Sequence, residues 1–133
     1  MKRLLESVLR DFLLGNLSAT VLLNEVEGTV VPLGSKVSHH YIEDMNEEFS
    51  VSRTMLVSLC DAVIRGEFAP SFLEPIAFAL ITSDKFVWEE DDVMTGVVSD
   101  WAAPQINFEL TLTNVMQFRK WLLGEEPYPT RAA

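Results

Sequence analysis

Between Leu5 and Leu13 the apolar residues Leu5, Val8, Leu9, Phe12 and Leu13 fall at i, i+3, i+4, i+7 and i+8, which gathers them on one face of a helix. Gly15 follows where the helix can close with a left-handed residue. Ser18 can then cap a second helix over Ala19 to Glu27, with Val21, Leu22 and Val26 inward. A hairpin, TVLLNEV-EG-TVVPL, is the alternative, because β-branched residues flank Glu27-Gly28; the helix is preferred because helix hairpins with short loops suit the neighbouring pattern.

Residues 28–48 carry Pro32, two glycines and no sustained period, so a long irregular connection is expected, with one helical turn near Tyr41 to Met45. Ser50 or Ser52 starts the next helix, whose wide apolar face holds Met55, Leu56, Leu59, Val63 and Ile64 and which ends at Gly66. In SFLEPIAFALITSD, Ser71 and Glu74 match a capping box, and Pro75 stands in the first turn, where its missing N–H costs least. Phe72, Ile76, Ala77, Phe78, Ala79, Leu80 and Ile81 make this helix apolar nearly all round, the pattern of a central buried helix.

The run FVWEEDDVMTGVVSDW adds a helix with its inner stripe at Val93, Val97 and Trp101, flanked by Met94 and Val98, and with Asp91, Asp92 and the two preceding glutamates in its favourable first turn. AAPQINFEL reads as an extended loop whose Pro104, Ile106 and Phe108 pack on the core. Thr111 or Thr113 caps the last helix. Val115, Phe118 and Leu122 line its inner face, with Leu112 and Met116 beside them, and Gly124 ends it. Trp121 lies off that stripe and is expected against Pro104 or Pro127. Residues 125–133 form a Pro-broken flexible tail. The fold class expected is all-α, a single domain of five or six helices with one long irregular connection at about 28–48.

Two stretches echo each other. VLRDFLLGNLSATVLL and LCDAVIRGEFAPSFLE both run helix, glycine, polar residue, large apolar residue, helix, and they align Val8 with Leu59, Phe12 with Val63, Leu13 with Ile64, Leu17 with Phe68 and Leu22 with Leu73. Two helix hairpins with the same corner chemistry account for the match without common origin.

Composition narrows the function. A chain of 133 residues can bury roughly two thirds of its unfolded surface in one core. Twenty acids against ten Lys and Arg give a net charge of −10 and a pI near 4.5, a field that repels phosphate backbones and disfavours nucleic-acid binding. The single cysteine, Cys60, excludes an intramolecular disulfide and any Cys-rich metal motif, which suits a reducing cytoplasm. Glu6, Arg10 and Asp11 interrupt the apolar stretch that a signal peptide needs, and no run approaches the roughly 20 apolar residues of a membrane span.

Candidate chemistry is sparse. His39-His40 is the one histidine cluster; if the segment were helical, His39 and Glu43 would stand at i, i+4, the spacing of a weak metal or acid–base pair for a metal-assisted hydrolase using His39, His40 and Glu43. Solvated loop histidines are the simpler reading. Cys60 beside an apolar helix face reads as a buried, inert thiol. No phosphate-binding loop or nucleophile elbow occurs, so neither enzymatic activity nor a cofactor is expected.

The acids cluster instead at Glu43, Asp44, Glu47 and Glu48, at Glu89 to Asp92, and at Glu125-Glu126. Helix-start chemistry explains much of the second cluster. The first lies in the irregular connection, where binding residues concentrate. Trp88, beside Glu89 and Glu90, has the character of an interface hot spot for a basic protein. The candidate partner-binding residues are therefore Glu43, Asp44, Glu47, Glu48, Trp88, Glu89 and Glu90.

The segment LRDFLLGNLSA, a helix ending in Phe-Leu-x-Gly-x-Leu-Ser-Ala before another helix, resembles the opening of small helical bacterial immunity proteins of the colicin and contact-dependent-inhibition types. That resemblance implies a cytoplasmic protein that binds a cognate toxin, often a basic nuclease, and blocks its active site. A protein partner and a monomer or weak homodimer are the corresponding expectations. The competing reading is a small scaffold that self-associates through an apolar face, with the acids conferring solubility alone.

Overall fold

Amphipathic spacing and capping residues divide the chain into six α-helices among the residues that the computed structural model describes: 4–26, 30–32, 38–40, 42–43, 47–106 and 108–129, with only the backbone described at 4–5, 25–26, 30–32, 38–40 and 42–43. They are α1 (Glu6–Leu13), α2 (Ala19–Val26), α3 (Arg53–Ile64), α4 (Leu73–Thr82), α5 (Asp92–Ala102) and α6 (Leu112–Leu123). The fold is mainly helical, as expected. Ser52, Asp91 and Thr111 cap α3, α5 and α6 by accepting backbone N–H bonds with their side chains, which satisfies donors that a helix start leaves orphaned.

The helices pack chiefly in two pairs, α3 on α6 and α4 on α5, with α5 also against α6, and with α1 resting on α2 and α3. Trp101 of α5 and Phe118 of α6 are both fully buried and meet edge to face, with ring centroids 6.0 Å apart at 85°. The Leu9, Leu22, Leu56, Leu59, Leu73, Ile76 and Leu80 side chains, all at most 1% exposed, belong to one hydrophobic core to which α1, α2, α3 and α4 contribute. An ion pair from Arg119 Nε to Asp61 Oδ1, 2.7 Å, adds a polar clamp between α6 and α3.

The echoed corners are structurally alike. After α1, the Gly15 N–H donates to the Phe12 carbonyl and the Asn16 N–H to the Asp11 carbonyl; after α3, Gly66 donates to Val63 and Glu67 to Ala62. Both glycines are left-handed, at φ +83° and +77°, where a Cβ would be strained. The rings of Phe12 and Phe68 then meet across the two corners at 6.4 Å.

Residues 28–48 are not wholly irregular. They hold short strands β2 (Val30–Pro32), β3 (Ser38–His40) and β4 (Ile42–Glu43), and the chain also forms β1 (Leu4–Leu5), β5 (Phe49–Ser50) and β6 (Phe86–Val87). Among the described residues these form three two-stranded pairs: β1 with β4 parallel, β2 with β3 antiparallel and β5 with β6 parallel. Pairing gives partners to backbone N–H and C=O groups of these segments. Leu5 consequently belongs to a strand rather than to the first helix. The hairpin over residues 20–33 does not form, because α2 occupies its first arm. The expected helical turn at Tyr41 to Met45 is replaced at Ile42 and Glu43 by strand; Tyr41 and residues 44–45 lie outside the described residues.

Other expectations are corrected by packing. Ser71 and Glu74 form no capping box, since Pro70 opens a 3₁₀ turn (Pro70–Phe72) that runs straight into α4 with no side-chain cap. α4 is not wholly buried either: Phe78 is half-buried and Ile81 exposed. Val21, Leu112 and Met116 face solvent, and so does Ile106, whereas Phe108 from the same loop packs on Phe118 and Trp121. Trp121 is buried, with the rings of Phe108, Phe118 and Tyr128 against it. Residues 125–129 do not simply leave the fold as a tail: Tyr128 donates its hydroxyl to Asp100 Oδ2 at 2.7 Å.

Candidate docking surface

The Trp88 segment owes its position to two short strands and one ion pair. Phe49 N–H donates to the Lys85 carbonyl at 2.6 Å and Val51 N–H to the Val87 carbonyl at 2.8 Å, so β5 and β6 run side by side from Phe49 opposite Phe86. The two rings meet edge to face at 6.2 Å, with Phe86 buried. The chain then passes through Trp88, Glu89 and Glu90 before α5 begins. Its entry is fixed by Asp91, whose Oδ1 accepts the N–H groups of Val93 (3.0 Å) and Met94 (3.1 Å).

Asp91 also receives both arms of Arg53: Nε to Oδ2 at 2.7 Å and Nη2 to Oδ1 at 3.0 Å. Arg53 Nη1 reaches the Leu122 carbonyl at 3.5 Å. One guanidinium therefore ties the start of α3, the cap of α5 and the last turn of α6. The hydrogen bond from Arg53 holds the Asp91 carboxyl below its ordinary value of 3.8, with the two backbone N–H bonds and the guanidinium charge acting in the same direction and partial burial opposing them. Sequence periodicity carried no signal for Arg53, and Asp91 showed only as one first-turn acid among several.

Around this clamp lies an open groove of about 380 Å³, walled by Ser50, Arg53, Trp88, Glu89, Glu90 and Met94. Glu89 and Glu90 are exposed at its rim. Trp88 is half-buried and packs on the core, and its indole N–H donates to Thr95 Oγ1 at 3.1 Å. Its donor is thus used within the fold, which leaves the exposed part of the ring as contact surface.

The acidic residues come from separate elements. Glu47 and Glu48, both exposed, immediately precede β5, while Glu89 and Glu90 follow β6 by one residue. In a parallel pair those positions lie at opposite ends of the ladder. Glu43 stands in β4 opposite Leu5; its side chain and the whole of Asp44 lie outside the described residues. Glu125 and Glu126 follow the C-terminal end of α6, where Glu126 accepts from Gln117 at 2.6 Å and approaches Lys120 Nζ at 3.7 Å.

The side chains of His39 and His40 lie outside the described residues, and the backbone alone bears on the hydrolase alternative. His39 and His40 are in β3 and Glu43 in β4, so the helical i, i+4 spacing that would pair His39 with Glu43 is not present. Among the described residues no three metal-binding side chains converge. Cys60 is fully buried, and burial, reinforced by Asp61 and opposed by Arg119, pushes its thiol up to about 12; such a group stays protonated at neutral pH and is a poor nucleophile. Among the described residues no helix is long and apolar enough to cross a membrane.

The fold and this surface define a small, acidic, mainly helical protein with a groove rimmed by carboxylates and a half-buried tryptophan. Comparisons with protein-family models, curated protein sequences and solved structures return no match to the chain.

Proposed function

We propose that this is a non-enzymatic protein-binding protein, of the toxin-immunity kind, which docks a basic partner through its carboxylate-rimmed surface. The observation that carries the reading is the rim of the Trp88 groove, where Glu89 and Glu90 stand exposed beside an aromatic ring already fixed by Thr95 and the core. An immobilised ring loses little entropy on binding, and exposed carboxylates steer a cationic partner at long range. Glu47 and Glu48, with Glu43 and Asp44 nearby in sequence, extend the negative field beyond the other end of the β5–β6 ladder. A net charge of −10 acts in the same sense and against nucleic acid as the partner. Toxin immunity itself rests on the resemblance of LRDFLLGNLSA.

The test is biological and direct. Expressing the product of the neighbouring gene should arrest growth, and co-expression of this chain should restore it. Arrest that persists despite equal amounts of this protein contradicts the immunity reading.

A second reading, self-association, has one observation in its favour: Leu112, Met116 and Leu123 lie exposed along the outer side of α6. Light scattering over a concentration series separates the two. A strict monomer removes the second reading, whereas a dimer broken by Met116→Glu would support it.

A further inference from the structure

Gly96 lies in the interior of α5, where glycine destabilises a helix relative to alanine. Its neighbourhood explains the choice. A Cβ added there would fall 2.6 Å from Tyr128 Cζ and Oη and 2.7 Å from Cε2. The Tyr128 ring therefore sits in a notch that only the missing side chain leaves open. One turn further along the same face, Asp100 is completely buried, and its Oδ2 accepts the Tyr128 hydroxyl at 2.7 Å. Trp121 supplies the opposite wall, edge to face with Tyr128 at 5.1 Å and 81°. Floor, acceptor and wall come from two helices. Together they make a recess shaped for a flat ring that carries a hydrogen-bond donor.

The segment that fills it is largely exposed. After Gly124 the residues Glu125, Glu126 and Pro127 are all exposed, and Tyr128 is the one partly buried residue of 125–129. Besides the ring, the segment is held by the Glu125 N–H, which donates to the Lys120 carbonyl at 2.9 Å where the helix closes, and by the contacts of exposed Glu126 to Gln117 and Lys120. Segments with few buried contacts open locally at much lower free energy than the whole fold.

We propose that Gly96, Asp100 and Trp121 form a phenol-binding recess, that Tyr128 is its built-in ligand, and that residues 125–129 act as a latch that can leave the recess while the helices stay folded. The recess is separate from the Trp88 groove and does not depend on the function proposed for that surface.

Two measurements on the full chain test this. In the wild-type background Gly96→Ala should expel the ring and lower Tm; in a Tyr128→Ala background the same change should raise Tm by about 2–4 °C, since alanine is then simply the better helix former. A change of the same sign in both backgrounds overturns the proposal. Second, Tyr128→Ala should bind p-cresol saturably, the wild type should not, and toluene should bind the variant at least about tenfold more weakly because it offers Asp100 no donor. Equal binding of p-cresol by variant and wild type would overturn the recess. Loss of the folded state in Tyr128→Ala would show that the recess cannot be emptied alone and would overturn the latch.

Discussion

Arg53 and Asp91, separated by 38 positions in the chain, meet in a two-point ion pair at 2.7 and 3.0 Å, and the same carboxylate caps α5. A single side chain thus sets both the start of α5 and its attachment to α3, with Trp88, Glu89 and Glu90 suspended between this clamp and β6. Whatever holds Asp91 holds the groove.

Asp91→Ala removes the cap and the pair together and should destabilise the fold by about 1–3 kcal/mol in urea titration, the sum of a typical cap and a partly exposed ion pair. Asp91→Asn keeps an N-cap acceptor and should cost less. A double-mutant cycle with Arg53→Met isolates the pair, for which a coupling of about 0.5–1 kcal/mol is expected because Arg53 is 40% exposed at its side chain.

The same pair gives the fold an acid-sensitive contact. The Asp91 carboxyl is held below its ordinary value of 3.8 in the folded state, so its contribution is complete above that value and is lost as pH falls through the lower folded value. The stability difference between wild type and Asp91→Asn should therefore be flat from pH 7 to about 5 and should shrink below about pH 4. A difference that grew on acidification would contradict the geometry.

Cys60 should behave as a reporter of unfolding. Raising its thiol from 9.0 to about 12 leaves, at equal pH, about a thousandfold less thiolate, and full burial adds a steric block. Alkylation at pH 8 should be slow in native buffer and should accelerate to the rate of a free thiol in denaturant. Rapid labelling under native conditions would place the thiol outside the core.

Much of the helical framework was legible because it is local. The stripes Leu9–Phe12–Leu13 and Val97–Trp101, the caps at Ser52 and Thr111, and the glycine corners at Gly15 and Gly66 are all written within a few residues. The strands were not legible, since each spans only two or three residues and depends on a distant partner, as Phe49 does on Phe86. The aromatic surroundings of Trp121 were illegible for a similar reason: its neighbours Phe108 and Tyr128 arrive from a loop and from the chain beyond α6, where no helical period applies. Of the candidate surface, the exposure of Glu47, Glu48, Glu89 and Glu90 agreed with their charge. Their division between opposite ends of a strand pair was beyond any spacing rule, and so was the hydrogen bond that occupies the Trp88 indole.

The central claim is that exposed carboxylates around the Trp88 groove and before β5 capture a basic protein. Its most direct measurement is the association rate between this protein and the product of the neighbouring gene, taken across a salt series for wild type and for a variant with Glu47, Glu48, Glu89 and Glu90 all changed to Lys. Electrostatic steering predicts a rate that falls steeply with salt in the wild type, and a drop of at least about tenfold in the variant at low salt with little salt dependence left. Equal rates for the two proteins, with the same response to salt, would contradict the account.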